Sequence, residues 1–213
     1  MDDVEHMRRA MALAAAVRSS TAPNPWVGSV VVAATEADHG ADRFADADAD
    51  ADRDRDRADG ATHPFGGAVQ TFAGATAPPG GPHAEIAALR SAGDAARGAT
   101  LYTTLEPCVH HGRTPPCTDA IVDAGIARVV IGVEDPDPKV AGRGIAALRD
   151  AGIDVVLGVA ADEVAEQLAP YRKHRTTGQP WVILKMAASL ASSSSTRKWS
   201  RVKSRSKTLG ARL

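Results

Sequence analysis

The chain has 213 residues, a formal net charge of −1 and 44% hydrophobic residues, which fits a globular protein with a sizeable core and excludes a wholly disordered one. Two cysteines exclude a disulfide scaffold, and the lack of an apolar run of ~18 residues excludes a membrane-spanning helix. The small net charge hides a division: nine Asp against four Arg give residues 38–59 a net of −5, and seven basic residues without an acid give residues 191–213 a net of +7.

Met1 to Ala16 places acids before its apolar stretch and shows no basic lead or cleavage pattern, so no secretory signal is expected and the cytoplasm is the expected compartment. Met7 to Val17 is alanine-rich without a breaker and predicts a helix; Trp26 to Ala33, after Pro23-Asn24-Pro25, predicts a buried strand. Asp38 to Asp59 is Asp-Ala-Arg repetition whose only large apolar residue is Phe44. It cannot offset its ordering entropy, so residues 38–62 are expected to form a solvated, low-complexity acidic insert. Strands follow at Ala68–Phe72, Thr100–Leu105, Ala127–Val133 and Val155–Val159. Helices alternate with them at His83–Ser91, Pro116–Asp123 and Ile145–Ala151, several closed by Gly, and at Asp162–Lys173 with Asp162 as N-cap. Trp181 to Met186 would begin one more strand. Strands separated by short helices imply a layered α/β fold with a sheet that is largely parallel in its later part.

The chemistry gathers at element starts. His83-Ala84-Glu85 opens a helix, Glu106-Pro107-Cys108 leaves a strand, and Cys117 opens the next helix with eight residues between the cysteines. One His and two Cys can make a three-ligand zinc site with the fourth position left for water. Glu85, two residues after His83, lies near such a metal but off the ligand direction, which suits a proton carrier. A His-x-Glu element, a Pro-Cys element and a second Cys form the zinc-deaminase signature, although its cysteines are usually two apart. Alone, each residue has a plainer role: a hydrogen-bonded His, buried thiols, a first-turn Glu. A purely structural zinc would need a fourth protein ligand, and His110 and His111 stand nearby. Gly142-Arg143-Gly144-Ile145-Ala146-Ala147 matches a dinucleotide fingerprint, but Glu134 to Val140 with two prolines separates it from the strand. It is expected to be a turn and a helix start.

Pro23-Asn24-Pro25-Trp26-Val27-Gly28, Gly81-Pro82-His83-Ala84-Glu85, Leu105-Glu106-Pro107-Cys108 and Gly112-Arg113-Thr114-Pro115-Pro116-Cys117 resemble the deaminase domain of the bifunctional riboflavin-biosynthesis deaminase–reductases. Asp135-Pro136-Asp137-Pro138 and Arg175-Thr176-Thr177-Gly178-Gln179-Pro180 with Lys185 continue the likeness, which covers residues 7–190 apart from the insert. The resemblance implies a three-layer α/β/α cytidine-deaminase-like domain with a mixed sheet of about five strands. It implies Zn2+ on His83, Cys108 and Cys117, with Glu85 as the catalytic acid/base. The implied reaction is hydrolytic deamination of 2,5-diamino-6-ribosylamino-4(3H)-pyrimidinone 5′-phosphate. Asn24 would hydrogen-bond the pyrimidine, and His110, Arg113 and Thr114 would line the loop for the ribosyl phosphate. A position that is often His in the family is Thr76 here.

The expected organisation is a deaminase domain over residues 1–176, a linker and the start of a reductase domain over 177–190, and a disordered basic tail over 191–213. The family pattern breaks after Ser189-Leu190 with 23 residues to follow, so reductase activity is not expected from these residues. The expected partner is a small phosphorylated pyrimidine, with no nucleic acid and no membrane; the family's dimers and tetramers leave a homo-oligomer open. Two rivals stand: the same fold acting on another base or nucleoside, and an inactive remnant that binds nucleic acid through its basic tail.

Overall fold

A computed structural model describes residues 2–34, 69–110 and 115–185. The chain falls into two units, Met1–Trp181 and Val182–Leu213, and every element below belongs to the first. The acidic insert and the basic tail lie outside the described residues.

Helix α1, Asp3–Val17, starts four residues before the sequence expectation. Asp2 caps it by accepting from the Glu5 N–H at 2.9 Å, and Asp3 and Glu5 place acids in the first turn. After the Pro23–Pro25 turn come β1, Gly28–Ala34, and β2, Val69–Ala75. Helix α2, Ala84–Ala92, ends at Gly93 and passes through a 3-10 turn into β3, Thr100–Leu105. Then follow α3, Cys117–Asp123; β4, Arg128–Val133; α4, Arg143–Asp150; and β5, Asp154–Leu157. Helices α5, Ala161–Gln167, and α6, Ala169–Thr177, close the unit.

The five strands order as β2-β1-β3-β4-β5. The β1 pairings are antiparallel and the β3–β4 and β4–β5 pairings are parallel, so the sheet is mixed and parallel in its later half. Strand alternation sends Val31, Leu101, Val129 and Val155 to one face and Val30, Tyr102 and Val130 to the other. The first face packs on α2, α3 and α4 through Ala88, Leu89, Ile121, Ile145 and Leu148. The second packs on α1, α5 and α6 through Met7, Ala10, Val164, Leu168 and Tyr171. This is the expected three-layer α/β/α domain, and each fully buried Val or Leu contributes about 1.5–3 kcal/mol to it.

Three local expectations change. The helix expected over Asp162–Lys173 is two helices, because Pro170 lacks the N–H that would continue α5 and instead sits in the first turn of α6. Asp162 lies inside the first turn of α5, and the N-cap is Ala160 in the left-handed region at φ 53°. Residues 181–185 form no strand. The glycine-rich 142–147 segment is the expected turn and helix start, with Gly142 at φ 82° capping α4.

Candidate metal centre and active site

Proline punctuation places the ligand-type residues. Pro82 precedes His83, which is the extended N-cap of α2 at φ −71°, ψ 163° and accepts from the Ala87 N–H through its carbonyl at 3.0 Å. Pro116 precedes Cys117, the first residue of α3. Cys108 follows β3 through Glu106-Pro107, and its carbonyl accepts from the Thr118 N–H at 3.2 Å in the first turn of α3. The sheet thus brings one loop and two helix starts together.

His83 Nδ1 stands 3.2 Å from Cys117 Sγ and 3.6 Å from Cys108 Sγ, and the Cys117 N–H points at Cys108 Sγ at 3.4 Å. All three ligand atoms lie within 4.8 Å of one another. The hydrogen bond from Cys117, helped by His83, pulls the Cys108 thiol down to about 4, while Cys117 is pushed up by its bond to Cys108 and by burial. Two thiols this close do not both ionise readily by themselves, and a divalent cation between them would take both as thiolates. Two sulfurs and one nitrogen converging beside an open cavity fit a zinc ion with three protein ligands and a free fourth position.

Glu85, in the first turn of α2, is 4% exposed. Burial, with the negative Cys108 beside it, pushes its carboxyl up to about 7, so it can both hold and release a proton near neutral pH. His83, Glu85 and Cys108 open into one cavity of about 490 Å³.

Of the sequence-predicted substrate contacts, Asn24 and His110 line this cavity; Arg113 and Thr114 lie outside the described residues. Thr76 also lines it, but its hydroxyl is engaged with the backbone of Val27, accepting from the N–H at 3.1 Å and lying 3.4 Å from the carbonyl oxygen. The cavity lining also includes residues to which sequence reading assigned no role: Asp135, Asp137, Tyr171 and Arg175. The Tyr171 hydroxyl donates to Asp135 at 2.9 Å, and Arg175 pairs with Asp137 at 3.4 Å. The Asp-Pro-Asp-Pro turn was visible in the sequence, but nothing local placed α6 against it.

A family model described as the cytidine and deoxycytidylate deaminase zinc-binding region matches residues 1–133. The riboflavin biosynthesis protein RibD of Escherichia coli K12 is 42% identical over 190 residues, covering 89% of this chain and 43% of that protein. The structure of RibD from Acinetobacter baumannii aligns with a TM-score of 0.64 at 37% identity, covering 84% of this chain and 41% of the other. A diaminohydroxyphosphoribosylaminopyrimidine deaminase/5-amino-6-(5-phosphoribosylamino)uracil reductase from Thermotoga maritima aligns with a TM-score of 0.62 at 34% identity, covering 84% and 42%. The chain spans less than half the length of these relatives.

Proposed function

The chain belongs to the family of the cytidine and deoxycytidylate deaminase zinc-binding region, and from that premise we propose that it hydrolytically deaminates 2,5-diamino-6-ribosylamino-4(3H)-pyrimidinone 5′-phosphate. The observation that carries the reading is the convergence of His83, Cys108 and Cys117 beside a buried, protonatable Glu85 in one cavity. The likeness to RibD proteins supports the substrate class.

His83, Cys108 and Cys117 would hold zinc, which when bound lowers the pKa of water enough for hydrolysis at neutral pH. Glu85 takes a proton from the attacking water as it adds to the amino-bearing ring carbon. The same carboxyl returns protons to the ring nitrogen and the departing amine, so ammonia leaves and a carbonyl remains. Asn24, on the cavity wall, would orient the pyrimidine by hydrogen bonding, which fixes the carbon against Glu85. Arg113 and Thr114 are assigned to the phosphate, with His110 beside them.

We assign residues 1–176 to the deaminase domain, because every residue given a role above lies within them. The cytoplasm suits its chemistry, since thiolate ligands need a reducing compartment; among the described residues no helix is long and apolar enough to cross a membrane.

The test is ammonia release from the phosphorylated intermediate together with metal analysis. About one zinc per chain and steady ammonia release are expected. Glu85→Gln keeps the metal and loses about 10²–10⁴-fold in kcat; a fully active variant removes Glu85 from proton transfer. Equal turnover of the dephosphorylated compound points to a nucleoside substrate instead.

A further inference from the structure

Glu106 lies two residues before Cys108, is 3% exposed, and is bound entirely to backbone. One carboxylate oxygen accepts from the N–H groups of Gly144 at 2.9 Å and Ile145 at 3.2 Å. The other accepts from Gly142 at 3.0 Å and Asp135 at 3.1 Å. Among the described residues no Lys or Arg pairs with it. A buried charge is tolerable here because four N–H dipoles face it, three of them from the start of α4.

The clamp bears directly on the turn that carries Cys108. A Cβ on Gly144 would stand 2.1 Å from the Pro107 carbonyl oxygen, so the α4 backbone rests against the Pro107–Cys108 peptide. On its other side Cys108 is held through its carbonyl by Thr118 of α3. Cys108 thus lies between two anchors, with its sulfur facing His83 and Cys117. Both Glu106 oxygens are occupied, each accepting two backbone N–H groups within the fold, which leaves the carboxylate unsuited to proton transfer although it borders the cavity.

We propose that Glu106 is a positioning residue for the metal centre: by binding the start of α4 it fixes the Pro107–Cys108 turn and thereby sets zinc affinity. The inference rests on the reading of the His83–Cys108–Cys117 cluster as a zinc site.

The full chain and its Glu106→Gln variant are compared by chelator competition for zinc and by the thiolate-to-cobalt absorption of the Co2+-loaded protein. Gln keeps the shape but turns a donor toward two of the four N–H groups, so zinc binding should weaken 10–100-fold and the cobalt band should shift or fade. Met7→Ala, in the core of α1 on the opposite face of the sheet, lowers stability yet keeps the zinc affinity of the unsubstituted chain at 25 °C. Unchanged zinc affinity and cobalt absorption in folded Glu106→Gln overturn the proposal, and so does equal weakening in Met7→Ala. Where Glu106→Gln does not fold, amide exchange in the unsubstituted chain decides. Linkage is reciprocal, so zinc must slow exchange at Gly142, Gly144 and Ile145; unchanged exchange there overturns the proposal. An unsubstituted chain that binds no zinc sinks the metal reading itself, which separates the two failures.

Discussion

Two thiols and an imidazole nitrogen within 4.8 Å of one another cannot all keep their ordinary ionisation. The cluster holds the Cys108 thiol low and the Cys117 thiol high, while burial raises Glu85 to about 7. Steric fit at single residues is equally specific. Gly28, the first residue of β1, passes under α1 so closely that a Cβ there would stand 1.9 Å from the Ala10 carbonyl oxygen and 2.8 Å from the Ala14 nitrogen. These are helix backbone atoms and cannot swing aside. Gly28→Ala should therefore cost about 3 kcal/mol by pushing α1 off the sheet. The urea midpoint measures it, and a shift within error of zero would mean that α1 yields freely.

Elements in this fold are joined by polar contacts at their ends as well as by apolar faces. Asp3 opens α1 and binds Arg128 of β4 bidentately at 2.8 and 3.0 Å, and it also accepts from the Tyr102 hydroxyl at 2.7 Å. The Arg128 guanidinium holds the Asp3 carboxyl below its ordinary value. A lowered carboxyl pKa stabilises the fold at pH values above the unfolded pKa, near 3.9, and that stability disappears as pH falls through the folded value. Asp3→Asn should cost about 1 kcal/mol at pH 7, a modest figure because the pair is a third exposed. Thermal midpoints of the two proteins should converge as the pH drops below about 4. A gap that stays constant with pH would assign the loss to something other than the charge.

Over the whole molecule, the candidate zinc centre joins three separate pieces: the start of α2, the loop after β3 and the start of α3. An ion that binds all three only in the folded state adds stability by mass action, about 4 kcal/mol at a thousandfold excess over Kd. For a domain of this size that is a shift of roughly 10 °C. Chelation should lower the thermal midpoint by that order and added zinc should restore it. A midpoint indifferent to zinc would argue against the centre. The charge of −1 loses its meaning at this scale, because its two large contributions sit in segments that carry none of the proposed chemistry.

The ligand pattern was legible without coordinates because each part is local. Prolines before His83 and Cys117 mark helix starts, and a His-x-Glu spacing puts His83 and Glu85 on one turn. Short apolar runs after prolines and glycines likewise marked strands, and the break at Pro170 could have been taken from the same rules. What the sequence could not decide are contacts between residues far apart in the chain. Glu106 meets the start of α4, 36 to 39 residues later, and Tyr171 meets Asp135 across a span of 36. Those pairings depend on strand register and on the angle at which α4 and α6 cross the sheet, which no local pattern encodes. Sequence alone determined which atoms could hold a metal and which carboxyl we propose for the proton; tertiary packing decided what surrounds them, because a buried carboxylate finds its partners only after the layers close.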